Sequence, residues 1–213
     1  MPFDSSEGRA LSRVEPGRPP RGVVLMLHGG TQHSTEPVTS RSGSLWRMEV
    51  LRSAIAHRLT REGYATWLLR YGVRGWNAEL DAPSPVADAR WALDQVRDAH
   101  GEVPVVLLGH SMGGRTAAYV ADDRNVTGVV GLAPWLERDD PVGALEARDL
   151  VCGHGLRDRI TSARATRAYV ERARAVARLA EFDPLGAAGH YMLYRPHMWH
   201  RFALRQTLRL LAV

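Results

Sequence analysis

Short runs of consecutive apolar residues recur along the chain. Between them lie longer stretches in which apolar positions return every three or four residues. The runs are Val23–Leu27, Ala65–Arg70, Val103–Leu108, Val126–Leu132, Asp149–Cys152 and Ala177–Phe182. They are continuous rather than alternating, which predicts strands covered on both faces, as in a parallel sheet. The longer stretches predict helices. Leu45–Arg61 places Met48, Leu51, Ile55 and Leu59 near one face, and Pro85–Asp98 does so with Ala89, Leu93 and Val96. Ser84 is a fitting N-cap for the latter, with Pro85 at its first helical position. Ser111–Val120, Thr161–Ala175 and His197–Leu211 complete the set; in the second of these, Tyr169, Ala173 and Val176 face inward. This alternation predicts an α/β protein with a mostly parallel open sheet and helices on both faces, joined by right-handed crossovers.

Length and composition narrow the class. A chain of 213 residues with 45% hydrophobic content can bury one sizeable core, so one domain over residues 1–213 is expected. Residues 1–20 form an N-terminal segment in which Ala10–Val14 could supply one edge strand, and the Pro/Gly-dense stretch follows at 15–22. The longest apolar runs are too short to span a membrane. The N-terminus lacks the apolar stretch of a secretory signal, and the one cysteine, Cys152, can form no internal disulfide; a cytoplasmic location is expected. The net charge is +5, and all 28 basic residues are arginine. They are scattered, with no basic run and no RNA-type aromatic motif, which favours solvated helix faces over a nucleic-acid or membrane partner. No metal-ligand spacing is present.

One turn carries chemistry. The apolar strand ending at Leu108 runs into Gly109-His110-Ser111-Met112-Gly113, and a helical pattern follows. This is G-x-S-x-G in a strand–turn–helix context. Glycines on both sides remove the Cβ atoms that such a bend would crowd, and Ser111 is pushed outward at a helix N-terminus. There the helix dipole and free N–H groups favour developing negative charge.

The segments "VVLMLHGG" (23–30), "GHSMGG" (109–114), "GLRDRIT" (155–161) and "GAAGHYML" (186–193) occur in the order seen in the α/β-hydrolase superfamily, and the chain after residue 20 resembles it. The resemblance implies a serine hydrolase without cofactor or metal. Ser111 would be the nucleophile, His190 its base and Asp158 the orienting acid. Rival acids are Glu137, Asp139 and Asp140; His197 and His200 are expected to be packing or surface groups. The oxyanion would be held by the N–H of Met112 and a second donor, Gly30 or Thr31, while His28 braces the loop. Thr161 is expected to cap the helix after Asp158. Residues 133–148 are too few for a lid domain, so an open site bounded by Thr31–Ser44 and Trp135 is expected, with Thr31 and Trp135 near the substrate. Trp46, Tyr71, Trp76 and Trp199 fit either pocket or packing. The expected partner is a small acyl substrate. The same side chains would serve acyl transfer, and a silent ligand-binding module remains a third reading, because this fold hosts many functions.

Overall fold

The computed structural model describes residues 4–6, 8–79 and 83–212. Eight strands form one sheet: β1 (Asp4–Ser6), β2 (Arg9–Val14), β3 (Gly22–Leu27), β4 (Tyr64–Arg70), β5 (Val105–His110), β6 (Val126–Leu132), β7 (Asp149–His154) and β8 (Leu179–Pro184). Their spatial order is β1-β2-β4-β3-β5-β6-β7-β8. The pairings β1–β2 and β2–β4 are antiparallel, and all others are parallel. Every residue of β3, β5 and β7 is buried. Successive side chains point to opposite faces of a strand, so this pattern requires cover on both sides.

The cover comes from α1 (Gly43–Arg61), α2 (Ser84–His100), α3 (Met112–Tyr119), α4 (Ala163–Ala173) and α5 (Pro196–Leu211). Helices α1 and α5 pack on each other, as do α2 and α3, while α4 lies on β7 and β8. Met48, Leu51, Ile55 and Leu59 of α1 are buried, as are Ala89, Leu93 and Val96 of α2. Between β6 and β7 the chain makes one 3-10 turn, Gly143–Leu145, and no lid.

Several boundaries differ from the sequence pattern. β5 begins at Val105, since Pro104 has no N–H to give a ladder. It continues through Gly109 and His110, which pair with Gly131 and Leu132. The N-terminal edge holds two strands, not one, and β2 starts at Arg9. Residues 1–3 and 7 of the N-terminal segment lie outside the described residues. Ser84 makes no cap bond; its hydroxyl accepts from Asn77 Nδ2 at 3.2 Å. Helix α4 is capped by Ser162, whose Oγ accepts from the Ala165 N–H, so Thr161 is free for another role. The helix ends at Ala173, which leaves Val176 beyond it.

Candidate active site

The bend after β5 holds Ser111 at φ 55° and ψ −119°, a left-handed conformation that costs a non-glycine residue on the order of 1–3 kcal/mol. Packing enforces it. A Cβ at Gly113 would collide with the Leu27 carbonyl, and one at Gly109 with Gly113 itself. The Ser111 N–H donates to the Leu132 carbonyl (3.1 Å), and the Ser111 carbonyl accepts from the N–H groups of Gly114 and Trp135, each at 3.0 Å. The bend is therefore pinned from both neighbouring strands, and the Ser111 side chain stands at the start of α3.

His190 lies in the loop between β8 and α5. Its Nδ1 is 2.7 Å from Asp158 Oδ2, and its Nε2 is 3.1 Å from Ser111 Oγ. An ionised carboxylate only accepts, so the ring proton sits on Nδ1 and the Nε2 lone pair faces the serine hydroxyl. The Asp158 side chain is 1% exposed. Its Oδ1 accepts from the N–H groups of Ile160 (2.8 Å) and Thr161 (2.9 Å). Burial alone would raise this carboxyl. The donors from His154, His190 and the two N–H groups outweigh it and hold Asp158 far below the usual carboxylate range.

Three further side chains support the pair, and the sequence reading assigned none of them this place. The Thr161 hydroxyl lies 3.0 Å from Asp158 Oδ2 and 3.1 Å from His190 Nδ1. His154, fully buried at the end of β7, places Nε2 at 3.2 Å from the same carboxylate oxygen. Its Nδ1 faces Thr166 Oγ1 at 2.9 Å. His110 Nε2 donates to the His190 carbonyl (3.0 Å), and the two rings are 4.9 Å apart. Burial and the nearby His190 push the His110 ring down to about 3, so it is neutral at ordinary pH. The only sequence signal for these two is that each histidine ends an apolar strand at the same edge of the sheet.

The rival acids have other work. Asp140 is buried and accepts from Arg115 Nη2 (2.6 Å), Arg115 Nε (3.0 Å) and the Tyr119 hydroxyl (2.8 Å). Glu137 and Asp139 are exposed, and Glu137 accepts from the Trp135 indole. Among the other histidines, His197 is exposed and His200 half-buried on α5.

The loop after β3 comes close to Ser111: a Cβ on Gly29 would lie 3.3 Å from that of Ser111. The Thr31 N–H donates to the Arg74 carbonyl at 2.9 Å. The N–H groups of Gly30 and Met112 have no backbone acceptor among the described residues. His28 is fully buried and pushed down to about 4 by burial; its Nε2 accepts from the Tyr71 N–H and its Nδ1 donates to the Gly29 carbonyl. Thr31 is exposed, with its hydroxyl on the His33 carbonyl. Trp135 is half-buried beside Ser111, its ring 4.4 Å from the Arg115 guanidinium. Tyr71, Trp76 and Trp199 are core residues, whereas Trp46 is 50% exposed. Cys152 is buried in β7, which pushes its thiol up to about 12.

A parallel sheet with a strained serine between strand and helix, reached by a histidine–carboxylate pair from later loops, defines the α/β-hydrolase class. Within it, residues 50–189 match the family described as serine aminopeptidase, S33, and the chain belongs to that family. It is 32% identical to the lipase LipV of Mycobacterium tuberculosis over 132 residues. That match covers 61% of this chain and 42% of the relative, less than half its length. The fold is shared with the esterase Est1E of Butyrivibrio proteoclasticus (TM-score 0.70, 13% identity, 99% of this chain and 98% of that one). A lidless α/β serine hydrolase from Xanthomonas campestris is also similar (TM-score 0.66, 15% identity, 94% and 88%). Among the described residues, no helix is long and apolar enough to cross a membrane.

Proposed function

We propose that the protein hydrolyses a carboxylic ester of a small molecule through an acyl-enzyme on Ser111. The observation that carries this is the 3.1 Å approach of His190 Nε2 to Ser111 Oγ, with Asp158 at the opposite ring nitrogen. His190 takes the hydroxyl proton as Oγ attacks the acyl carbon, and Asp158 stabilises the imidazolium. The Gly30 and Met112 N–H groups receive the oxyanion, a contribution worth about 10²–10³ in rate per donor in comparable sites. The imidazolium then protonates the departing alkoxide. A water molecule, deprotonated by the same Nε2, attacks the acyl-enzyme; the carboxylic acid leaves and Ser111 regains its proton. No step calls for a metal or cofactor.

The test is labelling by a fluorophosphonate together with turnover of p-nitrophenyl acetate and butyrate. The native protein should be labelled and active. Ser111→Ala should lose the label and at least about 10³-fold in turnover, with His190→Ala similarly impaired and the double variant no worse. Equal labelling of native protein and Ser111→Ala would sink the reading. Aminoacyl p-nitroanilides, run in parallel, separate ester from amide cleavage, and added alcohols expose acyl transfer.

A further inference from the structure

A cavity of about 210 Å³ lies between the first turns of α1 and the loop that follows His190. It is smaller than the roughly 300–1,000 Å³ of pockets for drug-sized ligands, so it suits one arm of a small molecule. Trp46 and Val50 from α1, with Tyr191 and Leu193 from the loop, line it and are 50%, 40%, 46% and 63% exposed. Single exposed apolar side chains are ordinary; four around one concavity mark a binding surface. Tyr191 directly follows His190, and their rings make edge contact at 5.4 Å. Tyr191 thus joins the cavity wall to the imidazole that faces Ser111, while His190 and Ser111 themselves do not line it.

Among the described residues that line this cavity, Arg47 carries the guanidinium, His200 is the one other basic side chain, and none is a carboxylate. The Arg47 guanidinium lies over the Tyr191 ring, 4.9 Å from the centroid. Its Nε is buried with no hydrogen-bond partner, and among the described residues no carboxylate forms an ion pair with it. Arg115 has Asp140, and Arg52 donates to the carbonyl and hydroxyl of Ser12; Arg13 shares with Arg47 an unpartnered Nε and an aromatic ring, Trp67, beneath its guanidinium, but its cleft also holds the Glu15 carboxylate. A guanidinium stays charged, and its planar fork matches a carboxylate.

We infer that this cavity receives an apolar arm of the substrate and that Arg47 binds a carboxylate carried on that arm, so that the preferred substrates are small anionic esters. This deepens the hydrolase reading and rests on it.

The test uses pairs that differ only by carboxylate for methyl. Monomethyl adipate against methyl hexanoate puts the charge on the acyl side; 4-acetoxybutanoate against butyl acetate puts it on the alcohol side. In at least one pair the native protein should favour the anion. Arg47→Met should then cost the anionic ester about ten-fold or more in kcat/KM and its neutral partner less than about two-fold. Arg47→Lys should retain part of the preference. Val50→Trp, which fills the cavity, should lower both long-armed esters but spare methyl acetate. Turnover of the neutral ester for the Arg47 variants, and of methyl acetate for Val50→Trp, reports that each variant is folded. An anionic-to-neutral ratio that is the same in native protein and Arg47→Met, for both pairs, overturns the subsite and leaves the hydrolase standing. Absence of both fluorophosphonate labelling and turnover takes down both.

Discussion

Two buried carboxylates sit at the same edge of the sheet, one after β6 and one after β7, and their partners make them different devices. Asp140 faces Arg115, whose guanidinium lies over both the Trp76 and Trp135 rings, 4.4 Å from each centroid. Asp158 faces two imidazoles, a hydroxyl and two N–H groups. In the first arrangement a guanidinium and the Tyr119 hydroxyl clamp the carboxylate, and no imidazole links it to a nucleophile. The second places a titratable ring between the acid and a serine hydroxyl. The lesson is that burial of a carboxylate does not by itself mark reactivity; the proton-carrying capacity of its partner does.

The comparison breaks most visibly if each acid is neutralised in turn. Asp158→Asn should lower kcat/KM by about 10²–10⁴-fold while leaving a folded protein. Asp140→Asn should leave the buried Arg115 with only the exposed Glu137 carboxylate, 3.6 Å away, and cost on the order of 3 kcal/mol of stability, while the folded fraction keeps most of its activity. Denaturant titration and steady-state kinetics on both variants read the two effects separately. The reverse pattern, or a larger kinetic loss in Glu137→Gln than in Asp158→Asn, would reassign the acid.

Acid should sharpen the contrast. His28 and His110 are held at about 4 and about 3 in the folded chain, against 6.5 when exposed. Below pH 6.5 the unfolded chain binds protons that these two rings refuse in the folded state. Stability therefore falls as pH drops from 6.5 towards about 4, approaching about 2–3 kcal/mol per pH unit near pH 5 for the two together. Thermal unfolding across that window should show the decline, and His110→Asn should flatten it. Neither Arg115 nor Asp140 is among the groups that bear on His28 or His110, so Asp140→Asn should leave that slope in place.

The smallest expected effect concerns His154. Its Nε2 shares an Asp158 oxygen with His190, which makes it a positioning residue. His154→Gln, able to donate in the same direction, should lower kcat by only a few-fold. His154→Ala should lower it about ten-fold and move the acid limb of the pH–rate profile, with KM little changed. An unmoved profile in His154→Ala would reduce this residue to packing.

Much of the fold was legible in the chain because each signal is local. Five of the strands, β3 to β7, announce themselves as largely apolar runs because both their faces are covered, whereas β8, at the far edge, is mostly half-buried and carries Glu181 and Asp183. The N-terminal strands differ: β2 mixes Arg9, Ser12 and Arg13 with apolar residues, and the edge strand β1, Asp4–Ser6, carries no apolar residue at all. The turn at Ser111 is equally local: two glycines that cannot carry a Cβ and one serine between strand and helix. Helix caps were less so, because Ser84 and Thr161 were each within one residue of the start and their hydroxyls went to Asn77 and to the Asp158–His190 contact.

By itself, then, the order of residues determined the alternation of strands and helices, the strained serine and the absence of room for a lid. It determined them because backbone sterics and side-chain periodicity act over a few neighbours. Which carboxylate meets which cation was decided only when the sheet closed. Ser111 and His190 are 79 positions apart, and only the resemblance, not any local pattern, ranked Asp158 above Asp140 before packing brought a guanidinium to one and imidazoles to the other. The solitary charge of Arg47 beside its apolar cavity is of the same kind: lacking a partner is a property of three-dimensional surroundings, since no rule of local spacing decides where a carboxylate fails to arrive.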